Sequence, residues 1–273
     1  VLLFRDLSAT DFKSQFDAKF VIYCMVVTIL MFSIIWILTE IFMKDESMKG
    51  AFVQASFRSS AAILGMAFIQ SMYSSTGMAP LMIVAAVLFN IFSVIVLTFK
   101  AVPENSDGKA AEKDSASNIK KACINIARNP IIIGIVLGFL ASVAGLKQPV
   151  IMQKTIQSVA QTATPVALIC IGAGFEGSKA IKKIKPTLIA TFIKLVGIAA
   201  IAIPVAVMMG FRNQELVAIL IMTASPSTVT CYIMAKNMDN DGVLSSSIIV
   251  LTTLLSSITL TGWIFVLRRL GLI

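Results

Sequence analysis

Eight stretches of the chain run for the length of a bilayer crossing with almost no charge, and nothing else in the sequence restricts the fold as strongly. They cover approximately residues 20–43, 50–73, 78–99, 130–146, 155–175, 186–211, 216–235 and 242–267, and the third, fourth, fifth, seventh and eighth carry no charge at all. About 20 apolar residues are enough to cross the hydrocarbon core. A soluble protein with buried helices would need a polar outer face on most of them, and these stretches lack one. Of 273 residues 57% are hydrophobic and 14% charged, against about a quarter charged in a soluble domain. The expected fold is an all-α polytopic membrane protein with the lipid bilayer as its first partner. The net charge of +9 is then a matter of topology, and nucleic acid is not expected as a partner.

Residues 100–121, KAVPENSDGKAAEKDSASNIKK, break the pattern. Nine of these 22 are charged, and Pro, Gly and Ser punctuate them, which marks a solvated loop. The chain is thereby divided into residues 1–99, a charged segment 100–129 and residues 130–273. No cleavable signal is expected, because residues 1–19 carry charges and no apolar core. Thirteen Lys and Arg fall on one side of the spans and eight on the other. The positive-inside rule therefore places the central loop and the KAIKKIKP connection in the cytoplasm, with the C-terminus outside the cell membrane. Arg58 and Lys194 alone are left within spans. Cys24, Cys123, Cys170 and Cys231 are widely spaced and read as small packing residues, not as a disulfide or metal framework.

Sliding the chain by 165 positions lays the first three spans on the last three without a gap, with Ser60 on Ser225 and Gly77 on Gly242. The shift passes five spans, an odd number, so the two copies have opposite orientations. That is the inverted repeat of many secondary transporters. The same register places residues 1–4 inside the fifth span. A parent of five plus five helices is expected, in which the first repeat, 1–99, lacks its first helix and most of its second, and 130–273 form the second repeat.

The second and seventh spans occupy matching places, and both read as broken helices. Pro226 lies in the middle of one, flanked by Ser225, Ser227 and Thr228; proline removes a backbone donor and clashes with the preceding turn. Arg58, Ser59 and Ser60 interrupt the other, and Gly65 allows close backbone approach. Irregular backbone at membrane depth is tolerated where it lines a cavity or is buried in protein. Crossed half-helices present unpaired N–H groups to an anion, and Arg58 adds a fork suited to a carboxylate. The competing account of Arg58 is snorkelling or pairing with Glu40, and that of the Ser/Thr cluster is repair of the kinked backbone. Lys194, eight residues into its span, is expected to snorkel. Asn90 serves equally well as interhelical glue or as a ligand contact.

No Asp lies within a span, and Glu40 and Glu176 lie at cytoplasmic ends, which disfavours a cation exchanger built on intramembrane carboxylates. His is absent, and no paired carboxylates or nucleotide-binding loop equip the chain as a hydrolase or an ATP-driven pump. A non-enzymatic, gradient-driven carrier with no cofactor and no metal site is expected. The sites assigned to substrate are Arg58, Ser59, Ser60, Gly65, Asn90, Ser225, Pro226, Ser227 and Thr228.

The sequence resembles the auxin efflux carrier family, whose bacterial members include malate permeases, over essentially its whole length. Its markers are Phe52-VQASFRSSAAILG, Asn129-PIIIGIVLGFL, Thr164-PVALICIGAGF and Ala224-SPSTVTCYIMAKNM, in order around the charged loop. The resemblance implies a ten-helix inverted-repeat carrier that moves organic anions by an elevator-like displacement of the crossover, with Pro226 as the second crossover proline. In the first crossover the family usually carries Asn and Pro where Ser60 and Met66 stand here. The expected function is a secondary transporter of malate or another small carboxylate, with sodium or a proton as the coupling ion and a homodimer as an oligomeric form. The alternatives are a sodium-coupled symporter of the bile-acid type and a degenerate membrane protein that binds a ligand without moving it.

Overall fold

A computed structural model of the chain describes residues 4, 17–60, 68–69, 71–73, 79–101, 130–144 and 149–273. Among them all regular structure is helical: α1 (Ala18–Phe42), α2 (Glu46–Phe57), α3 (Ala79–Phe99), α4 (Pro130–Val143), α5 (Val150–Ala173), α6 (Gly177–Lys182), α7 (Ile184–Met208), α8 (Asn213–Ala224), α9 (Thr230–Asn237) and α10 (Gly242–Arg269). Three of them, α1, α7 and α10, are each long and apolar enough to cross a membrane. Their starts follow from local chemistry. Asp17, Asp45 and Asp241 are the N-caps of α1, α2 and α10, and each accepts backbone N–H groups of the first turn. The acidic residues missing from the apolar stretches thus stand at helix entrances.

The two short helices lie at the centre. Every residue of α2 from Lys49 to Phe57 and of α8 from Leu216 to Ala224 is buried. A helix apolar or buried all round belongs to the inside of a bundle. Around them pack α1, α3, α7, α9 and α10. Phe32 of α1 stacks on Phe92 of α3 with centroids 4.4 Å apart and meets Phe57 of α2 edge-on at 5.1 Å. Tyr23 of α1 donates its hydroxyl to the Ala202 carbonyl of α7 at 2.5 Å, and its ring leans on Phe211. By contrast α5 presents Ile151, Leu168 and Ile169 outward, as suits a lipid-facing helix.

Both central helices stop inside the protein. Ser225 caps α8 in extended backbone, φ −71° and ψ 156°, because a residue before proline is driven out of the α region. The chain resumes as helix at Thr230. Arg58 caps α2 in the same extended conformation, φ −75° and ψ 130°, without a proline. The breaks expected at Pro226 and at Arg58 to Ser60 are both present. Pro165 and Pro204, in contrast, lie inside continuous helices. In α7 residues Ile193–Gly197 form a π turn, and Lys194 continues the buried face of Thr187, Ala190 and Thr191 while Phe192 stays exposed.

At the end of the bundle holding the C-termini of α1 and α3, Lys49 bonds Glu40 at 2.9 Å and Glu46 at 2.5 Å, and Lys100 bonds Glu40 at 2.5 Å. Lys183 pairs with Asp241 across the starts of α7 and α10. Asn240 donates to the Leu97 carbonyl at 3.0 Å, and Gly50 packs so close that a Cβ there would run into the Asn240 side chain.

Candidate functional site

The extended segments that follow α2 and α8 cross and bond to one another. Ser60 donates its backbone N–H to the Pro226 carbonyl at 3.1 Å. A helix leaves its last four carbonyls without intrahelical donors, and here the opposite strand of the crossover supplies them. Ser59, past the end of α2, donates to the Met222 carbonyl in the last turn of α8. Ser227, past the end of α8, donates to the Ala55 carbonyl in the last turn of α2 at 2.5 Å. The Ser227 backbone N–H bonds Thr252 of α10 at 3.2 Å. In the Ser/Thr cluster around Pro226, Ser227 does repair backbone, but of the opposite helix and not its own, and Ser59, outside that cluster, does the same in return.

Arg58 is 4% exposed. Its guanidinium reaches Asn90 Oδ1 at 2.6 Å, Ser93 Oγ at 3.3 Å and Met234 Sδ at 2.8 Å. It neither snorkels nor meets Glu40, whose carboxylate is taken by Lys49 and Lys100. Its described partners are all uncharged, and one is a thioether, a weak acceptor. Asn90 does act as glue between α3 and the end of α2, through this charged group.

Lys194 corrects the sequence expectation. It does not snorkel: it is fully buried, and its Nζ donates to Ser59 Oγ and, at 3.0 Å, to the Thr223 carbonyl. The reason is its helix face, since position 194 falls on the side of α7 that meets α2 and α8. Depth along a span indicates how far a lysine must reach, not which way it points. Thr223, Ser93 and Met234 likewise join the crossover without a signal in the sequence, because each is an ordinary residue in an apolar run.

Seven of the nine assigned residues, Arg58, Ser59, Ser60, Asn90, Ser225, Pro226 and Ser227, converge here. Ser225 is fully buried and its hydroxyl has no partner among the described residues. Thr228 is adjacent in the chain, with its hydroxyl 3.1 Å from that of Thr230 at the start of α9. Gly65 lies outside the described residues. Cys24 and Cys231 are buried free thiols and Cys170 is an exposed one; Cys123 lies outside the described residues.

Long apolar helices around two interrupted ones, with polar and cationic side chains gathered where the interruptions meet, define an integral membrane protein of the transporter class. Residues 1–264 match the family described as membrane transport protein, and the chain belongs to that family, the auxin efflux carrier family its motifs resemble. Members of the family are transporters, not enzymes. No curated protein matches the chain.

Proposed function

We propose that the protein is a secondary transporter that carries a small organic anion, such as malate or another carboxylate, across the cell membrane through the crossover. The observation that supports this most is Arg58, a permanent cation buried where the two broken helices meet and surrounded by uncharged described partners. A buried charge is costly unless paired, and a carboxylate is the natural partner of a guanidinium fork. Among the nine assigned residues Arg58 would bind the anion, and Ser225, whose hydroxyl has no partner among the described residues, would add a hydrogen bond.

The reading includes the five-plus-five inverted repeat. In its support, α2 and α8 have equal lengths of 12 residues and matching extended caps. Matching by caps pairs Arg58 with Ser225, two positions off the register that pairs Ser60 with Ser225. It also includes a cytoplasmic location for the Lys49, Lys100 and Lys183 clusters and the central loop, and an outward C-terminus.

Counterflow of labelled malate, and of related mono- and dicarboxylates, into proteoliposomes holding the full chain tests this function. Saturable flux is expected, with Arg58→Ala slowing it by about 10- to 100-fold, the worth of a charge-assisted hydrogen bond of about 1.5–3 kcal/mol. Arg58→Lys should recover only part of it, since an ammonium lacks the fork. Flux untouched by Arg58→Ala would refute the role of the arginine, and thermal stabilisation by carboxylates without flux would favour a ligand-binding protein instead.

A further inference from the structure

Anion binding at Arg58 leaves the other buried cation of the crossover, Lys194, without a task. Lys194 Nζ sits between the C-terminal ends of both broken helices: it donates to the Thr223 carbonyl in the last turn of α8 and to Ser59 Oγ just past the last turn of α2. Ser59 in turn donates to the Met222 carbonyl. The ends of two helices bring two negative dipole ends together, and carriers built on broken helices use such carbonyls and half-helix ends to hold a coupling cation. The oxygens that Nζ meets, the Thr223 carbonyl and the Ser59 hydroxyl, with the Met222 carbonyl one hydrogen bond further on, are the hard ligands that sodium also takes.

We infer that the Lys194 ammonium is a tethered cation that occupies the coupling-ion position of the crossover, so that this protein neither binds nor needs sodium there. Two features of the fold hold it in place. Residue 194 shares the buried face of Thr187, Ala190 and Thr191 and lies within the π turn Ile193–Gly197, and π turns recur at functional positions. The turn is pinned from α10 by the Trp263 indole, which donates to the Leu195 carbonyl at 3.2 Å. Three ammonium donors replace the several oxygen contacts of an ion, and both described acceptors of Lys194 are neutral, so its charge answers the helix ends and no carboxylate. Arg58 is held by a different set, Asn90, Ser93 and Met234. One cation thus answers the helix ends, and the other is left for the transported anion. This assignment rests on the crossover being the transport site.

Removing the side chain should expose the same oxygens to a free ion. The full chain is purified in detergent and its thermal unfolding midpoint is compared in sodium, potassium and choline chloride at equal ionic strength, for wild type, Lys194→Ala, Lys194→Ser and Lys194→Arg. The wild type and Lys194→Arg should unfold at one temperature in all three salts. Lys194→Ala and Lys194→Ser should unfold lower in choline and rise by about 3 °C or more in sodium alone, as linkage requires of an ion that binds only the folded state. A sodium-specific rise in the wild type overturns the inference, as does a monodisperse Lys194→Ala or Lys194→Ser protein indifferent to sodium. If neither truncation folds, the wild-type comparison decides, since a tethered cation leaves no difference between sodium and choline. The readout needs no substrate: absent malate flux would leave it standing, and a sodium response of the wild type would leave anion transport through Arg58 standing.

Discussion

Three serines at the crossover have similar burial and separate duties. Ser59 and Ser227 each satisfy a carbonyl of the opposite helix, while the hydroxyl of Ser225 is buried without a described partner. Hydrogen bonds between side chains and helices in membrane proteins contribute about 0.6 kcal/mol on average. Ser227→Ala and Ser59→Ala should each lower stability by about 0.6–1 kcal/mol in thermal unfolding, and Ser225→Ala should be close to neutral while weakening carboxylate flux. Equal stability losses at all three positions would remove the distinction. Gly50 makes a different demand, since a Cβ there meets Asn240. Gly50→Ala should lower the unfolding midpoint, and Asn240→Ala in the same chain should restore part of the loss, because the offending atoms belong to a side chain that can be shortened.

The helix ends hold the molecule's titratable clamps. Beside Lys49, which donates it a hydrogen bond, the Glu46 carboxyl is held below its usual 4.5, and Glu46 and Glu40 raise the Lys49 ammonium above its usual 10.5. For Glu46 the lowered value means that the stabilisation is present above pH 4.5 and is lost as pH falls through the depressed folded-state value. For Lys49 the raised value means that it is present below pH 10.5 and is lost as pH rises through the elevated one. Glu46→Gln should therefore destabilise the protein by a constant amount between about pH 5 and 10, and the gap from wild type should close on strong acidification. The amount should be below about 1 kcal/mol, since Glu46 is largely exposed and water screens the pair. Unfolding midpoints across pH check this; a gap that widens in acid contradicts it. At the same scale the two helix breaks differ in legibility. Pro226 marks its break together with the polar Ser225, Ser227 and Thr228 around it, since Pro165 and Pro204 in apolar surroundings leave their helices continuous, whereas the break at Arg58 was readable only because three polar residues interrupt an apolar run.

Across the whole molecule, the ends of α1, α3, α7 and α10 that carry Glu40, Lys100, Lys183 and Asp241 are tied by two ion-paired clusters, and the proposed topology places them in the cytoplasm. With the native cysteines replaced by alanine, Ser178→Cys should react with an impermeant maleimide only in inside-out vesicles, and Leu270→Cys only in right-side-out ones; the reverse pattern would invert the topology. Both positions are exposed, so neither result depends on unfolding.

Hydropathy and the placement of charge were sufficient to identify a helical membrane protein, the two broken helices and Arg58 as the cation between them. These properties are local: the length of an apolar run, the geometry of proline and the cost of a charge in lipid each act within a few residues. The role of Lys194 was not local. Its position along the chain pointed to snorkelling, and burial was decided by the packing of α2 and α8 against the face of α7 that holds it. The same holds for Ser59 and Ser227, whose hydroxyls satisfy carbonyls more than 160 positions away. Which helix end is capped by which side chain is a property of helices brought together, and only the tertiary structure brings them together.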